Sequence, residues 1–315
     1  MRALLGSGGI GTDERRVMYR ELMAENFAGC QRVVFVPYAG HDHEGYTARM
    51  REFAGDSGYE LVGLHEFDDP LAGIEAADGI YVGGGNTWLL VRELHERGLI
   101  EPIREAVLER GVPYAGVSAG ANVACPSMQT TNDMAITMVP SFETFGIVPF
   151  QINPHYHPGG IWFREKEDGE YHKHYGESRA KRVSEYHKSH DSPVIGLYEG
   201  SFLRCRDGAF ELLGNKAAVM RKGKEIITHE AGVILNEELT AAGDDNQFNL
   251  NIFVDCRGMR DDSFAEYGEN RRGCDVKTSQ NLRDGNRIVT LDDARLALRM
   301  NYLNSHRLCA GESDL

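Results

Sequence analysis

An α/β fold with a mainly parallel sheet covered on both faces is what the first 230 residues predict, on two observations. Short apolar runs alternate with amphipathic stretches, the strand–helix–strand rhythm of crossover connections. Two of those runs end in glycine clusters that open helical patterns, at Gly83-Gly84-Gly85 and at Gly116-Val117-Ser118-Ala119-Gly120, as strand-to-helix turns do. A chain of 315 residues with 41% hydrophobic side chains can bury a sizeable core in one large or two modest domains.

In chain order, strands are expected at Ala3–Leu5, Arg32–Pro37, Glu60–Leu64, Gly79–Val82, Pro113–Val117 and Val194–Leu197, because each is apolar and bounded by turn-forming residues. Helices are expected at Asp13–Ala28, Tyr46–Ser57, Thr87–Arg97 and Pro102–Arg110, the last with Pro102 in a first turn where its missing N–H costs nothing. Trp162–His190 is dense in charge and histidine and reads as an exposed loop leading into a helix that starts near Ser178. The character shifts again beyond about Glu230. A strand at Phe248–Val254 and a helix at Leu291–Leu303 are expected there, separated by Gly-, Asn- and Asp-rich sequence.

Composition excludes several classes. Lys+Arg 34 against Asp+Glu 48 leaves a net charge of −14 with no basic run, so neither nucleic acid nor an anionic membrane has a footprint to bind. No apolar stretch approaches the ~18 residues of a membrane span, and the first residues are too short an apolar run for a signal peptide, so the expected location is the cytoplasm. The six cysteines lie far apart without a C-x-x-C pair and are expected to be reduced thiols.

The strongest chemical signal is Gly116-Val117-Ser118-Ala119-Gly120, between an apolar run and a small-residue stretch able to begin a helix. This is the context in which G-x-S-x-G becomes a nucleophile elbow, with the serine in a strained turn and backbone N–H groups directed at developing negative charge. Such a serine needs a base, and the base an orienting group. His155, in Asn-Pro-His-Tyr-His, and Asp133, in Thr-Thr-Asn-Asp-Met, supply the order Ser, Asp, His. A turn role for Asp133 and a surface-loop role for His155 stay open. The Gly83–Gly85 cluster suits an oxyanion hole formed by Gly85 N–H with Ala119 N–H, or a tight turn capped by Asn86 or Thr87, or both.

Other readings compete. Gly6-Ser7-Gly8-Gly9-Ile10-Gly11 matches a dinucleotide fingerprint, but the following strand ends in Pro-Tyr-Ala-Gly where an acidic residue should meet the ribose. No cofactor is therefore expected, and the glycines read as a loop near the sheet's carboxyl edge. His41/His43 and His155/His157 have ligand-like spacing, yet lack a supporting cysteine or an H-E-x-x-H signature, so no metal is expected either.

Taken together, GGGNT, the G-x-S-A-G turn with A-N-x-A-C-P after it, TTNDM and Q-I-N-P-H resemble peptidase E, the α-aspartyl dipeptidases, over roughly Met1 to Gly232. The resemblance implies a three-layer sandwich akin to class I glutamine amidotransferases and flavodoxin, with a catalytic domain at 1–232 and an extension of unknown role at 233–315. It implies that Ser118 is the nucleophile, His155 its base and Asp133 the orienting carboxylate, with Glu199 as second choice. It further implies Gly85 and Ala119 as oxyanion donors, and Arg179, with Asn86, as substrate-binding. A guanidinium is apt for that task because it forms two parallel bonds to a carboxylate; a surface salt-bridge ladder with Glu177, Arg182 and Glu185 is the plainer alternative for Arg179. The implied activity is hydrolysis of dipeptides beginning with aspartate. A cyanophycinase-like hydrolase of another aspartyl-linked amide, or a non-catalytic binding protein on the same fold, are the alternatives. The expected partner is a small peptide, and a homodimer is left open. His157 and the histidines at 172, 174, 187 and 190 have no role in the resemblance.

Overall fold

In the computed structural model, residues 1–8, 11–159, 162–173 and 178–240 are described. The elements, in chain order, begin with β1 (Arg2–Gly6), α1 (Asp13–Asn26), β2 (Arg32–Val36), α2 (His43–Ala54), β3 (Glu60–Gly63), α3 (Pro70–Glu75), β4 (Gly79–Val82), α4 (Thr87–Glu96), α5 (Ile100–Leu108), β5 (Tyr114–Val117) and α6 (Ala119–Asn122). They continue with β6 (Gln151–Asn153), β7 (Trp162–Phe163), β8 (His172–Lys173), α7 (Arg179–Tyr186), β9 (Val194–Leu197), β10 (Phe202–Arg206), β11 (Ala209–Leu213), β12 (Ala217–Met220), β13 (Ile227–His229) and α8 (Asn236–Thr240). Each of the six strands expected from sequence is present within a residue or so at its ends. Five of the described helices begin where a side chain satisfies a free backbone N–H. Thr12, Asp42, Asp69, Asn86 and Ser178 each accept a first-turn N–H of the helix that follows.

The main sheet has the order β11-β10-β1-β5-β4-β2-β3. Its β1, β5, β4, β2 and β3 run parallel, while β10 and β11 close one edge antiparallel. Period-two alternation divides each inner strand between two cores. Ala3, Leu5, Val34, Val36, Ile80 and Val82 pack with α4 and α5, whereas Leu4, Val33, Phe35 and Tyr81 pack with Tyr19, Met23 and Phe27 of and just after α1. Both faces are thus covered, which makes the three layers. A second sheet, β13-β12-β9-β6, holds β6 and β9 parallel to each other.

Two differences from the sequence expectation have simple causes. Leu235 and Leu239 are buried in the main core, and Leu212 N–H donates to the Val233 carbonyl, so the packed unit runs through residue 240 and a boundary at 232 falls inside it. The antiparallel strands β10 and β11 are outside the expectation because their burial alternates and they lack continuous apolar runs, β13 because it is mostly exposed; β12, apolar and buried throughout, is a miss of a readable run. The expected elements at Phe248–Val254 and Leu291–Leu303 lie outside the described residues. No described helix is long and apolar enough to cross a membrane, and Cys30, Cys125 and Cys205 are buried free thiols.

Candidate active site

Ser118 sits at the carboxyl end of β5, with φ 55° and ψ −111°, a left-handed conformation that costs a non-glycine residue about 1–3 kcal/mol and marks functional turns. Its flanking glycines are there for space. A Cβ on Gly116 would lie 2.2 Å from the Gly120 carbonyl oxygen, and one on Gly120 would lie 2.1 Å from that of Val82. The backbone of the sharp turn is therefore packed without room for any side chain, and its serine hydroxyl projects beyond the strand.

The partners of that hydroxyl come from the second sheet. Parallel strands β6 and β9 pair Asn153 with Gly196, and His155 and Glu199 each follow two residues beyond the ends of these strands. Ser118 Oγ lies 2.8 Å from His155 Nε2, and His155 Nδ1 lies 2.6 Å from Glu199 Oε1. A carboxylate only accepts, so Nδ1 carries the proton and Nε2 is left to accept from the serine hydroxyl. The side chains of His155 and Glu199 are 38% and 45% exposed, so the line opens to solvent. Both ring nitrogens of His155 are engaged by Ser118 and Glu199, so it does not pair with His157 as a metal ligand; His157 is exposed, with Nδ1 on the Gly159 carbonyl.

Asp133 is elsewhere. Its Oδ2 accepts from Thr87 N–H at 2.7 Å, Thr87 Oγ1 at 2.6 Å and Thr131 Oγ1 at 3.2 Å, at the start of α4 where a negative charge meets the positive end of the helix dipole. The expectation that Asp133 orients His155 is corrected in favour of Glu199, since the imidazole has one Nδ1 and Glu199 occupies it. Asn86 is also corrected: its Oδ1 accepts Leu89 N–H at 3.1 Å and its Nδ2 donates to the Met134 carbonyl at 3.2 Å. Both ends of that amide are committed to capping α4 and tethering the loop after Asp133.

The glycine loop between β4 and α4 lies against the serine, for a Cβ on Gly84 would sit 3.1 Å from Ser118 Cβ. Gly85 has φ +138°, and a Cβ there would be 2.4 Å from the Ala39 carbonyl oxygen, so only glycine fits. Gly83 and Asn86 N–H groups are spent on the Val36 and Ala39 carbonyls. Arg179 opens α7, and its Nε is buried with no hydrogen-bond partner. Burial, and then the charge of Arg182, pull its pKa below the usual range, while Asp133 opposes them. A half-buried guanidinium with an unpartnered Nε is costly to hold without a hydrogen-bonding partner.

Comparison with known proteins places the chain in a family. The profile of peptidase family S51 matches residues 3–213. The chain belongs to that family. Among its relatives, peptidase E of Streptomyces coelicolor is 45% identical over 214 residues, 68% of this chain and 84% of the relative. A probable alpha-aspartyl dipeptidase of Drosophila melanogaster is 45% identical over 195 residues, 62% of this chain and 78% of the relative. The crystal structure of a peptidase from an acI-B1 Actinobacterium superposes with a TM-score of 0.50 at 20% identity, covering 74% of this chain and 95% of that one, which is a likeness of fold. The S51 match includes every residue of the site described above, from Val36 to Glu199.

Proposed function

We propose that this S51 protein is a cytoplasmic serine dipeptidase that cleaves Asp-X dipeptides, with Ser118, His155 and Glu199 as its triad. What carries the reading is the line from hydroxyl to imidazole to carboxylate, 2.8 and 2.6 Å long, on a strained serine turn. The name of its Drosophila melanogaster relative, a probable alpha-aspartyl dipeptidase, supplies the substrate class.

His155 Nε2 takes the Ser118 proton as the oxygen attacks the scissile carbonyl, and Glu199 stabilises the imidazolium that forms. Gly85 and Ala119 N–H groups receive the oxyanion, a contribution of roughly 3–4 kcal/mol per donor. His155 then protonates the departing amine, leaving an aspartyl ester on Ser118, which water hydrolyses by the same route in reverse. Arg179 holds the substrate's side-chain carboxylate. The local guanidinium thereby lets a protein of net charge −14 bind an acidic substrate against its own overall field.

The test is a pair of variants assayed on Asp-Leu and Ala-Leu. Ser118→Ala is expected to abolish turnover of Asp-Leu. Arg179→Ala is expected to lower kcat/KM for Asp-Leu roughly 100-fold or more while leaving any residual Ala-Leu cleavage within a few-fold. Equal losses on both substrates would remove Arg179 from substrate recognition. A series of longer aspartyl peptides, cleaved as well as the dipeptide, would replace the dipeptidase with a hydrolase of polymeric aspartyl amides.

A further inference from the structure

The glycine-rich start of the chain, Gly6-Ser7-Gly8, has no part in the reaction as derived so far, yet it bonds to Ser118, to His155 and to the neighbour of Glu199, the triad on whose assignment the following rests. Gly6 O accepts Ser118 N–H at 2.9 Å. Ser7 Oγ accepts His155 N–H at 2.8 Å and donates to Leu197 O at 2.9 Å. Gly8 O accepts Gly200 N–H at 3.0 Å, the residue next to Glu199.

The position of Ser7 is demanding. The residue is fully buried, and its N–H donates to Ser201 O at 2.9 Å. Its hydroxyl therefore both accepts, from the His155 backbone, and donates, to the last residue of β9; a hydroxyl does both from one atom, and a methyl does neither. His155 has φ +54°, a strained conformation that persists only where surrounding bonds enforce it. The Ser7 hydroxyl supplies such a bond at the residue's own N–H. Gly8 supplies a floor: at φ +115°, a Cβ on it would stand 2.9 Å from His155 Cε1.

We infer that Ser7 is a positioning residue for the reaction, whose buried hydroxyl clamps the His155 backbone to β9 so that the imidazole spans Ser118 and Glu199, with Gly8 kept bare to seat the ring. The G-x-G-x-x-G pattern thus serves the triad, with its first glycine on the nucleophile, its serine on the base and its second glycine on the neighbour of the orienting carboxylate.

The test compares Ser7→Ala, Ser7→Cys and Gly8→Ala with the wild type, reading steady-state constants on Asp-Leu and the far-downfield proton resonance of the His155 Nδ1–H bonded to Glu199. Cysteine keeps the volume but is a weak donor and acceptor, so it separates bonding from packing and guards against a variant that fails to fold. Ser7→Ala and Ser7→Cys are both expected to lose roughly 10- to 100-fold in kcat, the scale of an ångström's misplacement, with KM changed by no more than about twofold. Their downfield resonance is expected to shift or broaden. Gly8→Ala is expected to disturb the same resonance with the hydroxyl intact. A Ser7→Cys enzyme with wild-type kcat, a loss lodged in KM, or an unmoved resonance in the serine variants would overturn the inference. Absence of Asp-Leu turnover in the wild type would instead defeat the dipeptidase reading, and the resonance comparison would still decide the role of Ser7.

Discussion

Glu199 bonds the His155 ring and Asp133 caps α4, and their chemistry separates on substitution. Glu199→Gln keeps the shape but places an amide opposite Nδ1, which favours the unproductive tautomer; kcat is expected to fall about 10²–10⁴-fold with little change in melting temperature. Asp133→Ala removes the acceptor of the first N–H of α4 and of two threonine hydroxyls. It is expected to cost about 1–3 kcal/mol of stability, read as a lower denaturation midpoint. The reverse pattern, with Asp133→Ala catalytically dead at unchanged stability and Glu199→Gln active, would restore the assignment suggested by the TTNDM motif. That motif misleads for a physical reason: Asp133 lies between Ser118 and His155 in sequence, but which carboxylate reaches Nδ1 depends on β6 pairing with β9, and no local pattern reports a contact between side chains 44 residues apart. The serine turn is legible because its glycines, its small residues and its place after a strand are all local.

At the level of elements, the parallel strands were readable because burial on both faces makes them continuously apolar, as in β2 and β4. Strands β10 and β11 carry Arg204 and Glu211 on a face that pairs charge, with Arg204 Nη2 on Glu211 Oε2 at 2.6 Å, and so resemble surface sequence. The three residues of β6 are too few for any periodicity. The serine turn itself offers a prediction at this scale. Gly120→Ala would drive a Cβ into the backbone of β4, where the obstructing atom is the Val82 carbonyl and not a flexible side-chain tip. A loss of about 1–3 kcal/mol or more is expected, with activity falling alongside. Gly29→Ala is the matched control: its φ of +89° is strained, but nothing lies within 4 Å of the added carbon, so only stability should suffer.

For the whole molecule, histidine burial sets an acid limit on stability. Burial, followed by the charge of His65, lowers the pKa of His43 below its ordinary 6.5; burial also lowers that of His187, despite its hydrogen bond to the Ser192 carbonyl. The unfolded chain then binds protons at these sites more readily than the folded one, so stability is intact above about pH 6.5 and declines as the pH drops below it. Denaturant midpoints should be lower at pH 5.5 than at pH 7.5. A His43→Asn/His187→Asn double variant should show a shallower decline, and an equal slope would assign the effect to other groups.

The triad, the Gly84–Gly85 loop and the Ser7–Gly8 clamp all gather beyond the carboxyl ends of their strands, so none of these groups lies on the opposite rim of the main sheet. Gly58 and Gly111, in turns that lead into β3 and β5, have open space around them. A peptide tag or fluorophore spliced into either turn should ride on a working enzyme, making that rim the natural handle for immobilising the catalyst with its mouth facing the solvent.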